Sequence, residues 1–405
     1  MINTDIIRED FPILHTRIHS RPLVYLDNAA TMQCPTGVQN AVLQHYGSCH
    51  ANVHRGIHSL SETATANMER ARVSAAGFTG ASDSSEIIFT SGTTESVNIA
   101  ARLLEHTVIH AGDEIIVSGM EHHSNLIPWQ ELAKRTGAVL KILPVCDNGT
   151  LDMKAFAQML SQKTRLVCVC LVSNVLGTVN PVQRMAELSH KHGALIFVDA
   201  AQAVRHCPLN AHENGYDMLA FSGHKMGAFT GTGVLYIKKE LQGVLHPCVY
   251  GGGTVDTVTY ENAVFTGSVS RFEAGTPNIA GIASLEAAIV YLNTLGLKNI
   301  AEYEKELIDY TEECLRHFDY VDILGEPSER AGVLSFNITG LHCYDTAALL
   351  DRLGIAVRSG HHCAEPLLAR FGLDGIVRVS PAFYNTKDEI DALCNAICRI
   401  HEVKR

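Results

Sequence analysis

The stretch Val357-Arg358-Ser359-Gly360-His361-His362-Cys363-Ala364-Glu365-Pro366-Leu367 sets a thiol beside two imidazoles, ahead of a proline. A thiol in that place is a metal ligand, a nucleophile or a bystander. Adjacent side chains rarely converge on one ion, and structural metal sites separate their ligands by two or more residues, which argues against metal. The sequence also has no C-x-x-C pair. A nucleophilic thiol must become a thiolate, and neighbouring imidazoles can help to form one. On these residues alone, nucleophile and bystander both stand.

Other polar groups fall at the ends of apolar runs, which is where open α/β sheets bind ligands. Asp199 closes LIFVD and continues into AAQ, which adds Gln202. Asn174 follows the run that ends at Val172, and Ser222-Gly223-His224-Lys225 follows Met218 to Phe221. Thr90-Ser91-Gly92-Thr93-Thr94-Glu95 follows another run and leads into a helical stretch. A turn of small residues entering a helix offers N–H groups and a dipole to a phosphate. Each feature alone has an ordinary reading: a helix cap, a capping box, a solvated lysine. Together they match an aldehyde cofactor, which needs a lysine for a Schiff base, an acid for its pyridine nitrogen and a phosphate cradle. Lys225, Asp199 and Ser91 to Thr94 supply those parts.

The elements that must position these groups are legible in outline. Strands are expected at 86–89, 114–117, 139–143, 166–172, 195–199 and 218–221, with helices such as 96–106 and 182–192 between them. Apolar strands alternating with helices imply an α/β fold with a mostly parallel sheet covered on both faces. From about residue 281 the pattern changes to helices at 282–296 and 297–318, a strand at 332–337, a helix at 345–353 and a last helix from Lys387. That reads as a smaller α+β domain. The expected division is therefore an N-terminal segment 1–20 packing on the small domain, a large cofactor-binding domain 21–280 and a small domain 281–405. A chain of 405 residues, 46% hydrophobic and 19% charged, is of ordinary globular composition for two domains.

The formal net charge of -11 argues against nucleic acid or an anionic membrane as the main partner. The N-terminus lacks the apolar core of a signal peptide, and the apolar run 166–172 is far short of the roughly 20 residues that span a membrane. Twelve cysteines without a secretion signal read as reduced thiols of a cytoplasmic protein. Cys168 and Cys170 on a strand, and Cys394 and Cys398 on the apolar stripe of the last helix, are expected in the core; a packing role is expected for Cys343 too.

The segments VYLDNAAT, SGTTESVN, MEHHSNLIPWQ, DAAQAVRH, FSGHKMGAFTGTGVLY, RFEAGTPN and VRSGHHCAEPL together resemble the class V aminotransferase family, and more narrowly its Suf-type (group II) cysteine desulfurases. The likeness runs over nearly the whole chain, and SGHK combined with GHHCAEPL is its most specific part. The resemblance implies fold type I, pyridoxal 5'-phosphate as cofactor, L-cysteine as substrate and a homodimer. Lys225 would carry the cofactor as a Schiff base, Asp199 would pair with its pyridine nitrogen, and Gln202 would contact the ring hydroxyl. His122 would stack on the ring and assist proton transfer. Thr93, Thr94, Ser222 and His224 would hold the phosphate, joined by the partner subunit's Thr276. Asn174, Arg358 and Arg378 would bind substrate, Arg378 by a bidentate grip on its carboxylate.

Cys363 would then attack the substrate sulfur and keep it as a persulfide. A sulfur-acceptor protein of SufE or SufU type would receive it for iron–sulfur cluster assembly, with His342 relevant to the second type. His54 and Arg55 are expected near the pocket, and His58 in a structural role. His123, His361 and His362 are equally open to catalytic and structural readings. One departure is Ala228-Phe229, where relatives often have Gly-Pro; it puts local loop geometry in question, not the lysine. A selenocysteine lyase or cysteine-sulfinate desulfinase on the same scaffold is the alternative, and would depend much less on Cys363. A non-catalytic binding protein is disfavoured by the presence of both Lys225 and Asp199.

Overall fold

The computed structural model describes residues 2–105 and 107–404. Met1 of the expected N-terminal segment, His106 at the expected end of a helix, and Arg405 lie outside the described residues. The central sheet has seven strands: β1 (Ile87–Thr90), β2 (Glu114–Ser118), β3 (Val139–Leu143), β4 (Thr164–Cys170), β5 (Leu195–Asp199), β6 (Met218–Ser222) and β7 (Gly233–Ile237). Their spatial order is β1-β7-β6-β5-β4-β2-β3. Strands β2 to β6 pair in parallel, as expected from their near-continuous apolar runs. Residues Leu166 to Val169 and Ile196 to Val198 are wholly buried, so both faces of the sheet are covered.

Strand β7 was not among the expected elements, and it runs antiparallel to both β1 and β6. Gly231 just before it and Gly233 at its start disguise it as a loop. Gly233 is required by close approach, not by conformation. A Cβ there would stand 2.5 Å from Gly92 Cα and 2.7 Å from the Phe221 carbonyl oxygen. The bare backbone lets the turn at Gly92 lie against the sheet.

From that turn springs α3 (Thr93–Leu104), after α1 (Thr36–Ser48) and α2 (Ser59–Thr79). It begins at Thr93 and not near Ser96, because Gly92 is the cap and the Glu95 carboxylate accepts the Ser91 N–H at 2.5 Å. The small residues therefore sit in the first helical turn itself.

The C-terminal part begins with α4 (Ile279–Leu295) and α5 (Leu297–Arg316). Strands β8 (Val321–Ile323), β9 (Leu334–Ile338), β10 (Arg358–Gly360) and β11 (Ile376–Val379) form an antiparallel sheet in the order β8-β9-β11-β10. Phe336 and Val377 pack there with Ile390, Leu393 and Ile397 of α6 (Lys387–Lys404). Cys168 and Cys343 are buried as expected. Cys394 and Cys398 are only half-buried, contrary to expectation. Each lies one residue, about 100° of helical turn, beyond a core position, which carries it to the flank of α6.

The N-terminal segment packs on the C-terminal part. Thr4 Oγ1 bonds the Tyr303 hydroxyl at 3.0 Å, and Arg8 reaches Glu389 at 3.0 Å. The attachment continues past residue 20, because Val24–Tyr25 pairs in parallel with Ile355–Ala356. An isolated bridge between Asp27 and Ser380 extends the contact two residues further. Among the described residues, no single helix is long and apolar enough to cross a membrane.

The close approach at Gly233 is testable. Gly233→Ala forces apart β7 and the turn at Gly92, and should cost about 1–3 kcal/mol of stability. The thermal midpoint should fall accordingly; a variant as stable as wild type would refute the packing argument.

Candidate active site

A cavity of about 240 Å³ opens at the carboxyl ends of β4, β5 and β6. Twelve of the thirteen expected site residues line it: Thr93, Thr94, His122, Asn174, Asp199, Gln202, Ser222, His224, Lys225, Arg358, Cys363 and Arg378. They come from turns far apart in the chain, and the sheet brings them together.

Lys225 ends a single 3-10 turn, Gly223–Lys225, that follows β6 directly. Its Nζ donates to the Ala29 carbonyl at 3.2 Å, and Gln202 Nε2 donates to the same oxygen at 2.8 Å. Burial, aided by the Arg378 charge, lowers the Lys225 amine to about 8, against the opposing pull of Asp199. Asp199 is buried at the end of β5, and its Oδ1 accepts the Ala201 N–H at 2.8 Å. Burial raises this carboxyl, while the Ala201 N–H and Lys225 lower it. The Ala228-Phe229 departure leaves Lys225 in place: the Phe229 N–H is taken by Ser284 Oγ at 3.1 Å.

Thr93 and Ser222 face each other at the start of α3, with Ser222 Oγ at 2.8 Å from both Thr93 N and Thr93 Oγ1. Thr94 Oγ1 bonds Ser124 Oγ at 2.7 Å. His224 Nδ1 lies 3.2 Å from Thr31 Oγ1, and burial lowers its imidazole to about 4. Burial, with Lys225 nearby, likewise lowers His122 to about 4. His122 Nδ1 accepts the Ser124 N–H at 3.0 Å, which fixes the ring's orientation. Both imidazoles are therefore neutral near pH 7.

Arg378, on β11, is buried. It donates to the Asn174 carbonyl at 2.9 Å and to Asp27 Oδ1 at 3.3 Å, while its buried Nε has no partner. Burial lowers Arg378 to about 10. An unmet buried donor beside a cavity is an invitation to a carboxylate. Arg358 is more than half exposed and only 3.8 Å from Asp27 Oδ2, a looser contact.

Cys363 is exposed at the cavity, and both it and His362 adopt left-handed backbone, with φ of 54° and 52°. The loop is pinned on either side. Asn174 Nδ2 donates to the His362 carbonyl at 2.8 Å, and the His123 N–H donates to the Cys363 carbonyl at 2.7 Å. His362 Nε2 donates to the Ile376 carbonyl at 2.9 Å, and burial lowers this imidazole to about 3. His362 and His123 thus shape the loop, and His361 lies 3.2 Å from Glu365 outside it.

Thr276 is not in this cavity. It lines a separate one with His54 and Arg55, so these two are not part of the first pocket's wall within the chain. His58 caps α2 by accepting the Ser61 N–H at 3.3 Å, the expected structural role. His342 caps the helix Cys343–Arg352 in the same way, through the Tyr344 N–H at 3.3 Å. Four contributors escaped the sequence reading: Asp27, the Ala29 carbonyl, Ser124 and Glu121. Glu121 is fully buried, and burial raises it to about 7; it accepts from Asn125 Nδ2 at 2.6 Å and the Cys170 N–H at 2.9 Å. Asp27 and Glu121 both stand in motifs already singled out, which was the available signal.

An amine in the cavity, a buried carboxylate, hydroxyls at a helix N-terminus and a neutral imidazole fit pyridoxal phosphate. Fold and site together define a pyridoxal-phosphate-dependent enzyme of fold type I. A family model described as "Aminotransferase class-V" matches residues 24–393. A relative named cysteine desulfurase from Klebsiella pneumoniae (strain 342) is 45% identical over 398 residues, covering 98% of each chain. The apo structure of cysteine desulfurase from Thermococcus onnurineus NA1 superposes with a TM-score of 0.93 at 39% identity, covering 99% of this chain and 98% of that one. The Escherichia coli cysteine desulfurase CsdA, as its S-sulfonic acid form, gives 0.92 at 35% identity, covering 100% of this chain and 99% of that one. The chain belongs to the class V aminotransferase family.

The lowered lysine has a measurable consequence. Only the neutral amine can condense with an aldehyde, so rebinding of the cofactor to apoenzyme should quicken as pH rises through about 8 and level off above it. Arg378→Ala removes a cation that lowers Lys225, so its midpoint should move upward. Stopped-flow absorbance of reconstitution against pH checks both; a flat profile, or a downward move, would contradict the assignment.

Proposed function

We propose that the chain is a cysteine desulfurase that converts L-cysteine to L-alanine and holds the sulfur on Cys363 as a persulfide. One observation carries the reading: an exposed thiol, on a loop pinned by Asn174 and His123, shares a cavity with Lys225, Asp199 and Arg378. The relatives' names support it.

Arg378 receives the substrate carboxylate through its unpaired Nε, with Asn174 beside it and Arg358 at the rim. Lys225, kept partly neutral by burial, takes the proton from Cα and returns it. Pyridoxal phosphate, held by Asp199, Gln202, Thr93, Thr94, Ser222, His224 and Lys225, supplies an electron sink beside Cα when bound. Neutral His122 lines the same cavity, where it would help hold the ring and could pass a proton without repelling Lys225. Cys363 Sγ attacks the substrate sulfur as a thiolate. A sulfur–sulfur bond forms, the Cβ–sulfur bond breaks, its electron pair stays with carbon, and a proton takes the sulfur's place at Cβ. Cysteine and a protein thiol thus become alanine and a protein persulfide, with atoms and electrons balanced.

In this reading the enzyme is Suf-type and works in the cytoplasm as a homodimer. Its persulfide passes to an acceptor protein of SufE or SufU type for iron–sulfur cluster assembly. The exposure of Cys363 suits transfer to a protein, and twelve unpaired cysteines suit a reducing compartment. The placement of Thr276 outside its own chain's cavity, near the exposed hairpin of Val255–Val258 and Ala263–Phe265, supports a phosphate contact made across the dimer. The division into a large domain to about residue 280 and a small one beyond rests on the two separate sheets.

Cys363→Ser should keep the cofactor spectrum yet release alanine from L-cysteine more than about 100-fold more slowly. Equal alanine release by both proteins would overturn the nucleophile. Selenocysteine and cysteine sulfinate would then be the substrates to favour, since they shed selenium or sulfite without it.

A further inference from the structure

Arg72 on α2 and Glu273, just past the 3-10 turn Val269–Phe272, form an ion pair whose side chains are only 3% and 7% exposed. The pair is bidentate: Glu273 Oε1 accepts from Arg72 Nη1 at 2.7 Å, and Oε2 from Nη2 at 2.9 Å. Strand β1 lies at the edge of the central sheet, and the pair supplies partners along it. Glu273 Oε1 also accepts the Phe89 N–H at 2.7 Å, and Arg72 Nη1 donates to the Ile87 carbonyl at 2.8 Å. The carboxylate is thus referred directly to the backbone of the sheet.

Glu273 opens a short segment, 273–278, whose far end is tied just as firmly. Asn278 Oδ1 caps α4 by accepting the Gly281 N–H at 3.0 Å, and its Nδ2 donates to the Gly231 carbonyl at 3.0 Å. Between these anchors the Gly275 N–H donates to the Gly252 carbonyl at 2.8 Å. Thr276 stands exposed there, in the cavity it shares with His54 and Arg55 and away from its own chain's cofactor cavity. Strand β1 has its own ladder with β7 from Ile87 to Thr90, so the phosphate turn that follows it is held without Glu273. Residues 273–278 lie outside any strand and depend on their anchors. A buried ion pair adds little net stability once desolvation is counted; what it supplies here is a fixed position.

We propose that Glu273, clamped by Arg72, is a positioning residue that holds Thr276 where it meets the cofactor phosphate of the other subunit. The inference rests on the reading of Thr276 as a contact made across the dimer.

Hybrid dimers of differently tagged subunits, with Lys225→Ala in one chain, keep a single Lys225. The holoenzyme hybrids are dialysed against falling concentrations of pyridoxal phosphate, and the absorbance of cofactor on that lysine is read. In the first hybrid the other chain carries Glu273→Gln, so the working site takes its Thr276 from a chain with Glu273 intact. Its half-loading concentration should stay within about twofold of that of a wild-type chain paired with Lys225→Ala. In the second hybrid one chain carries both changes and the other is wild type; half-loading should need about tenfold more cofactor. The opposite pattern would put the effect of Glu273 in its own chain, through β1, and overturn the proposal. Equal losses in both hybrids, or none in either, overturn it as well.

Thr276→Ala in the same two arrangements tests the underlying contact. If Thr276 acts across the dimer and Glu273 does not, only the positioning role falls; if Thr276 does not, the reading of the dimer contact falls and the proposal with it. Arg72 keeps Glu69 as a partner, at 3.1 Å from its Nε, when Glu273 is changed. Should Glu273→Gln still not fold, Arg72→Met with Glu273→Leu, which removes both charges together, takes its place.

Discussion

The carbonyl oxygen of Ala29 takes hydrogen bonds from both Lys225 Nζ and Gln202 Nε2, and the active site is arranged around that double acceptance. The segment bearing it is clamped from both sides. Ala29 N–H donates to Ser380 Oγ at 2.8 Å, and Asn28 Nδ2 reaches the Ser380 carbonyl at 2.8 Å and Asn385 Oδ1 at 3.1 Å. From the sheet side, Arg205 donates to the Asn28 carbonyl at 3.0 Å. Asp27, one residue earlier, holds Arg378. Three consecutive residues thus tie the lysine of the central sheet to the arginine of the C-terminal sheet. The N-terminal segment must pack on the C-terminal part for this to happen, which gives the pairing at Val24–Tyr25 its purpose.

The thiol is positioned by other means. Two successive non-glycine residues in left-handed backbone cost of order 1–3 kcal/mol each. Backbone and side-chain bonds from Asn174, His123 and Ile376 offset that cost. Asn174 is the common member, since its amide holds the thiol loop while its carbonyl holds Arg378. The Cys363 loop and the Arg378 guanidinium are therefore both held by one residue, and their separation is fixed by a single side chain and its own backbone.

Chemistry that stays local in the sequence was readable there. Lys225, Asp199, Gln202 and Thr93 each stand at or just past the end of an apolar strand, and the sheet brings them to one cavity. The parallel strands were legible because burial on both faces leaves unbroken apolar runs. Strand β7 was not, because its glycine serves the backbone of Gly92, a partner 141 residues earlier in the chain. Asp27 stood in a motif already quoted, but its pairing with an arginine 351 residues later in the chain could not be read from that motif. Cys394 and Cys398 were misplaced by one position around a helix, a slip that a hydrophobic stripe cannot correct at its edges. Thr276, His54 and Arg55 share a cavity of their own, a grouping that no spacing between residues 54 and 276 could reveal.

The Ala29 carbonyl carries a consequence for anyone mapping this enzyme by mutation. It belongs to the main chain, and the residue that bears it is already alanine. A scan that replaces each position with alanine would pass over position 29 in silence, and side-chain changes there would leave the oxygen where it is. The acceptor on which Lys225 and Gln202 converge is thus invisible to ordinary genetics. Replacing that amide with an ester would weaken the oxygen as an acceptor, and semisynthesis or an α-hydroxy acid introduced in translation is the way to reach it.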